Sequence, residues 1–120
     1  MGIARGDKAG RMQSFLQNFG FFGAPHAAFV FMPTPFGLRE AADCGMYAQT
    51  LMLAMAAHGV ASCPQTSLSF HPDVVRDALG VDDNQRLLFG ISFGHEDPNA
   101  SANACRVDRA ALEQSVVFHR

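Results

Sequence analysis

Charge is scarce in this sequence. Only 17% of its 120 residues are charged, the formal net charge is -2, and Lys and Arg never form a run. A chain without a basic stripe has no electrostatic grip on nucleic acid or on an anionic membrane surface, and neither is expected as a partner. Cysteine is sparse as well. Cys44, Cys63 and Cys105 are an odd number at wide spacing, a pattern that builds neither a disulfide framework nor a zinc knuckle and suits a reducing cytoplasm. The histidines (His26, His58, His71, His95 and His119) show no H-x-x-x-H or similar metal spacing, and no G-x-G-x-x-G or P-loop is present, so neither a metal centre nor a Rossmann-type phosphate loop is expected. Long apolar runs are missing too. The most apolar stretch, 46–57, contains Gln49 and Thr50 and is too short to span a bilayer. The first residues lack a basic-then-apolar leader pattern, and no internal repeat occurs.

What remains is apolar. Hydrophobic residues make up 48% of the chain, which is globular composition in a length that fits one domain, 1–120. For so small a body that balance predicts apolar surface meeting another subunit or the rest of a larger fold.

The periodicity supplies the elements. Asp7 is an N-cap, Met12, Phe15, Leu16 and Phe19 follow helical spacing, and Gly20 is a stop, so a helix is predicted over 7–19. The run 27–32 is a short apolar strand expected to be buried on both faces. A long helix over 38–58 is apolar almost all round in its second half, which predicts full burial. A loop follows over 60–70, then a helix from Pro72 to a stop at Gly80, with Val74, Val75, Ala78 and Leu79 inward. Leu87, Phe89, Ile91 and Phe93 alternate with Leu88, Gly90, Ser92 and Gly94, the period of a strand, and the two glycines on one face imply a close neighbour there. Residues 95–108 are loop-like, and 115–118 is a short β-prone end. This order predicts an α+β fold, a small sheet packed on helices.

Two nucleophile patterns stand beside blander readings. The segment 90–94 matches G-x-S-x-G around Ser92, with acidic residues and His119 behind it. The hydrolase chemistry needs a strand, a sharp turn and a helix, and here the motif lies inside an alternating strand. Cys63 follows His58 by five residues, a conceivable thiol and base, against the simpler reading of a small buried residue beside a helix end. Arg106 and Arg109 have guanidinium forks that match phosphate oxygens, although two arginines in a polar tail are ordinarily solvated.

Five stretches taken in order resemble the nitroreductase family. They are 18–26 (NFGFFGAPH), 43–50 (DCGMYAQT), 59–66 (GVASCPQT), 88–94 (LFGISFG) and 106–113 (RVDRAALE). Together they span most of the chain, from 18 to 113. The resemblance implies an α+β fold in which a small β-sheet packs between helices, a partial αβα sandwich that forms a homodimer. It implies FMN at each subunit interface, with NAD(P)H reducing the flavin and the flavin reducing nitroaromatic or quinone-like acceptors by a ping-pong route. The cofactor then carries the chemistry, and no catalytic side chain is expected. Backbone amides of the stretch matching Pro64, Gln65, Thr66 and Ser67 are implied to approach the flavin N5 and O4 edge, where donors favour the negative charge of the reduced ring. Arg109 best matches the family's arginine on the FMN phosphate, with Arg106 as a helper. The helix 38–58 matches the family's central helix, and 115–118 its last strand, which joins the other subunit's sheet.

The sequence also departs from the family pattern. Members are considerably longer, and this chain matches their C-terminal portion. The arginine-rich R-x-S-x-R segment that grips the FMN phosphate and ribityl chain has no counterpart here. The expectation is a fragment, a late-start product, or a chain completed by an N-terminal segment from another polypeptide. Losing several charge-assisted contacts would weaken FMN binding by orders of magnitude, so the isolated chain is expected to be poorly active. The alternatives are a non-catalytic remnant that pairs with a full-length relative, and a small hydrolase using Ser92 or Cys63.

Overall fold

The computed structural model describes residues 3–105 and 107–119. Asp7 caps the first helix, α1 (Lys8–Leu16), by accepting a hydrogen bond from the Gly10 amide at 2.8 Å. Gly20 does not end it. The helix gives way at Gln17 to a kinked 3₁₀ stretch, Gln17–Gly23, in which Phe21 and Phe22 take φ of 54° and 53°. The stripe predicted over 7–19 is thus bent in two. Packing decides this: Phe21 meets Phe29 edge-on, with ring centroids 6.3 Å apart, and such a tertiary contact outweighs helical propensity.

Three antiparallel strands form one sheet in the order β1-β3-β2, with β1 His26–Pro33, β2 Ala61–Gln65 and β3 Gln85–Gly94. The loop expected over 60–70 is therefore half strand. Pro64 cannot donate to a ladder and makes the stretch look irregular, but β2 is an edge strand, where a proline is tolerated. Along β3, Phe89 faces Val30 while Leu87 faces Phe31, which leaves Leu88 as the extra residue of a bulge. The alternation predicted for 87–93 consequently holds only from Phe89 onward. Ile91, at 0% exposure, is the centre of the core, with Met32, Leu87, Leu68 and Ala48 around it.

Two helices flank these strands. Helix α2 (Leu38–Ala57) packs against β1 and β2. Glu40 starts it by accepting from the Gly37 amide at 2.8 Å. Helix α3 (Pro72–Leu79) begins at Pro72 and ends at Gly80, whose φ of 64° is the left-handed stop that glycine provides. Arg76 on α3 ion-pairs with Asp73 and donates to the Gln85 carbonyl at 3.2 Å, which fastens α3 to the start of β3.

The predicted burial is not realised within this chain. Ala48 is the one fully buried residue of α2, and Met46, Tyr47 and Leu53 are exposed. In β1 only Met32 is fully buried. The inner stripe of α3 lines an open apolar groove with Phe19, Phe29 and Leu68. The stretch 115–118, expected as a strand, is irregular and exposed. Size explains all four corrections. The accessible surface is 9283 Å², against about 6,300 Å² for a compact monomer of this mass. The radius of gyration is 17.2 Å, against about 14 Å for a compact chain of this length. Faces coded as core lie open because nothing among the described residues covers them. Among the described residues no helix is long and apolar enough to cross a membrane.

Candidate functional site

The site is built on one row of the sheet. Gln65 at the end of β2 stands opposite Gly90, and Gly90 stands opposite Phe29 of β1. Residues directly opposite one another share a face, so the three form a line across the sheet, and each is capped by a different piece of chain. Phe21 leans on Phe29. Leu68, in the 3₁₀ turn Thr66–Ser69, sits on Gly90 so closely that a Cβ there would collide with its side chain and lie 3.4 Å from the Ala28 carbonyl. Asn18 covers Gln65. The close neighbour expected at the glycine face is present, and Gly94 meets a second one in Pro25, whose Cδ is 2.7 Å from where a Cβ would stand.

Gln65 is only 3% exposed. Its Nε2 donates to the Asn18 carbonyl at 3.1 Å and to Asn18 Oδ1 at 3.2 Å. Asn18 Nδ2 in turn donates to the Phe15 carbonyl at 2.8 Å. Both atoms facing Nε2 are acceptors, which fixes the orientation of the Gln65 amide. That leaves Gln65 Oε1 buried and without a partner. A buried acceptor with no donor costs about 1–3 kcal/mol, and this atom carries that cost within the chain.

Of the residues singled out in the sequence, Pro64 and Gln65 end the edge strand β2, and Thr66 and Ser67 open the 3₁₀ turn that follows it. Pro64 and Thr66 face outward, while Gln65 and Ser67 are buried. Ser69 Oγ donates to the Thr66 carbonyl at 2.8 Å, and the Phe70 amide donates to the Ser67 carbonyl at 3.2 Å, which holds the turn closed from behind. Arg109 lies apart, exposed in the irregular segment after β3, and among the described residues no hydrogen bond or ion pair joins it to the turn. Arg106 lies outside the described residues.

The nucleophile patterns dissolve. Ser92 is 3% exposed and pairs with both neighbouring strands in the middle of β3, so it has no elbow on which to present a hydroxyl. Cys63, expected to be buried, is exposed on the edge strand, with its Sγ 3.9 Å from the Pro64 carbonyl. Partial desolvation pushes its thiol pKa up, the opposite of what activates a thiolate. Sequence reasoning missed Asn18 and the left-handed pair Phe21-Phe22. Only the register that sets Gln65 against Gly90 could have placed Asn18 over the site. The pair leaves no signal, because bulky aromatics disfavour positive φ by about 1–3 kcal/mol each.

The family model for the nitroreductase family matches residues 3–95. The chain belongs to the nitroreductase family. It is 50% identical to nitroreductase NfnB of Mycolicibacterium smegmatis (strain ATCC 700084 / mc(2)155), an alignment covering 100% of this chain and 51% of that protein. The crystal structure of the FMN-dependent nitroreductase NfnB from Mycobacterium smegmatis in complex with NADPH superposes with a TM-score of 0.92 at 51% identity, over 99% of this chain and 53% of that one. The FMN and NADPH-dependent NfnB from Sphigopyxis sp. strain HMH superposes with a TM-score of 0.94 at 40% identity, again over 99% and 53%. The chain thus spans about half the length of the nitroreductases it matches, and its small sheet with flanking helices is the α+β fold of that family.

Proposed function

We propose that this chain is the C-terminal portion, residues 1–120, of an FMN-dependent oxidoreductase that passes electrons from NAD(P)H to nitroaromatic or quinone-like acceptors. The observation that carries the reading is the pinned turn 64–67, with the buried, unpartnered Gln65 Oε1 beside it, in a family whose matched members are FMN- and NADPH-dependent. The residues present fit such a cofactor. Thr66 lies exposed in the turn beside the clamped Gln65, and Arg109 is an exposed guanidinium, with no ion pair among the described residues, suited to a phosphate. Bound FMN would accept a hydride from the nicotinamide and deliver the electron pair to the acceptor. The protein's part is to hold and orient: the 64–67 turn positions backbone donors, and Arg109, with Arg106 as a helper, neutralises phosphate charge.

Roughly 3,000 Å² of surface beyond that of a compact monomer supports the partner reading, since obligate interfaces reach that size. The open faces of α2 and β1 fit a second copy together with the N-terminal portion of a nitroreductase-length chain, and the exposed 115–118 segment fits strand addition to a neighbouring sheet. The isolated chain accordingly binds FMN weakly and turns over little, in a cytoplasmic setting. Flavin fluorescence quenching and NADPH-dependent nitrofuran reduction test this. Both should rise when a polypeptide matching the N-terminal half of a nitroreductase relative is co-expressed. Absence of quenching with and without that partner would overturn the reading.

A further inference from the structure

Gln65 does more than occupy the edge of the sheet. It is the last ladder residue of β2 and adjoins the 66–69 turn, and its side chain is held from the far side by Asn18, 47 positions away in sequence. The turn is held a second time by Leu68, which uses the missing side chain of Gly90 as its socket. Asn18 is itself fastened through Nδ2 to the Phe15 carbonyl at the end of α1. It belongs to the stretch Gln17–Gly23, which keeps its course only through the left-handed Phe21 and Phe22. Two restraints, Asn18 on Gln65 and Gly90 on Leu68, therefore converge on residues 65–68.

We propose that Gln65 is a positioning residue, clamped by Asn18 so that the Thr66 and Ser67 backbone is set before any cofactor arrives. This rests on the flavin reading above and extends it: the clamp from 17–23 makes the turn a fixed set of donors rather than a loop that must organise on binding. Fixed donors aid the more negative state of a bound ring most, because no reorganisation is needed when the charge appears. Loosening the clamp should therefore weaken binding of reduced FMN more than of oxidised FMN. Asn18 touches no cofactor in this scheme and acts only through Gln65.

The test uses the full chain in three forms besides wild type: Asn18→Ala, Gln65→Leu and Asn18→Asp, the last of which keeps the Oδ1 acceptor. Equilibrium dialysis against oxidised and dithionite-reduced FMN gives two dissociation constants for each form, and hydrogen exchange without ligand reports on the amides of 66–68. For Asn18→Ala and Gln65→Leu, exchange at 66–68 should quicken and the preference for reduced over oxidised FMN should fall by about tenfold. For a two-electron couple that corresponds to a midpoint shift of about 30 mV to more negative potential. Asn18→Asp keeps the acceptor for Nε2 but loses the Nδ2 donor to the Phe15 carbonyl, so it should restore both only in part. Unchanged exchange and an unchanged ratio in Asn18→Ala would overturn the proposal, and if Gln65→Leu alone shifts the ratio, Gln65 acts by direct contact and the clamp is rejected. If the wild-type chain binds neither form of FMN, alone or with the co-expressed N-terminal half of a nitroreductase relative, the flavin reading itself fails, and the role given to Gln65 falls with it. Should Gln65→Leu not fold, Asn18→Ala decides alone: the backbone carbonyl still accepts from Nε2 and keeps the fold, while the Oδ1 contact and the tie to Phe15 are lost.

Discussion

At the scale of single residues, the row Gln65–Gly90–Phe29 accounts for the most specific features of the chain. Gly90 is required by space rather than by backbone angle, since its absent Cβ is the socket for Leu68. Gly90→Val should lower stability by about 1–3 kcal/mol, the usual range for overpacking, read from a denaturant melt. A smaller loss would mean that Leu68 swings aside freely. Cys63 gives a second prediction. Desolvation raises its pKa, so the thiol stays protonated at neutral pH, and its alkylation by iodoacetamide should be slow there and quicken only above the range of a free cysteine. Rapid labelling at pH 7 would contradict the assignment of Cys63 as a plain edge-strand residue.

At the scale of elements, two termini offer measurable handles. The Glu40 carboxylate accepts from the Gly37 amide, and that bond holds its pKa below the ordinary glutamate value. A carboxylate with a depressed pKa contributes stability at neutral pH that is lost as pH falls through the folded-state value. The start of α2 should therefore fray on acidification, seen as faster amide exchange at 37–41, and Glu40→Gln should show that faster exchange already at neutral pH. The second handle is Phe22, half-exposed at a φ of 53°. Phe22→Gly removes the strain of a bulky left-handed residue, about 1–2 kcal/mol, and gives up the packing of a ring that is 45% exposed. A modest rise in melting temperature is expected, whereas a fall would show that the Phe22 ring is held by contacts worth more than the strain.

The elements also mark the limits of reading sequence. Asp7, Pro72 and Gly80 announce helix ends through local chemistry and were legible, as was the crowding at Gly90 and Gly94. The break of the first helix at Gln17, the strand character of 61–65 and the bulge at Leu88 were not. Each is decided by a partner distant in sequence: Phe29 under Phe21, β3 beside Pro64, and Val30 against Phe89. Likeness to a family drew attention to 64–67, but not to the strand that ends at Gln65. The Asn18–Gln65 clamp needed the register, because nothing near Asn18 in sequence points 47 positions ahead.

At the scale of the whole molecule, surface is the governing quantity. A hydrophobic helix with one fully buried residue, and a surface near 9283 Å² where about 6,300 Å² would suffice, describe a body whose core is completed from outside. Sedimentation of the isolated chain should show association or aggregation, relieved by a partner that covers α2 and β1. The central claim, that the 64–67 turn and Arg109 serve one flavin, is tested most directly by titrating the isotope-labelled chain with FMN and following backbone amide shifts by NMR. That measurement detects binding even when it is weak. The account predicts the largest shifts at Gln65, Thr66, Ser67 and Arg109, with α3 and the 95–105 segment unmoved. Shifts confined to other residues, or none at millimolar FMN, would contradict it.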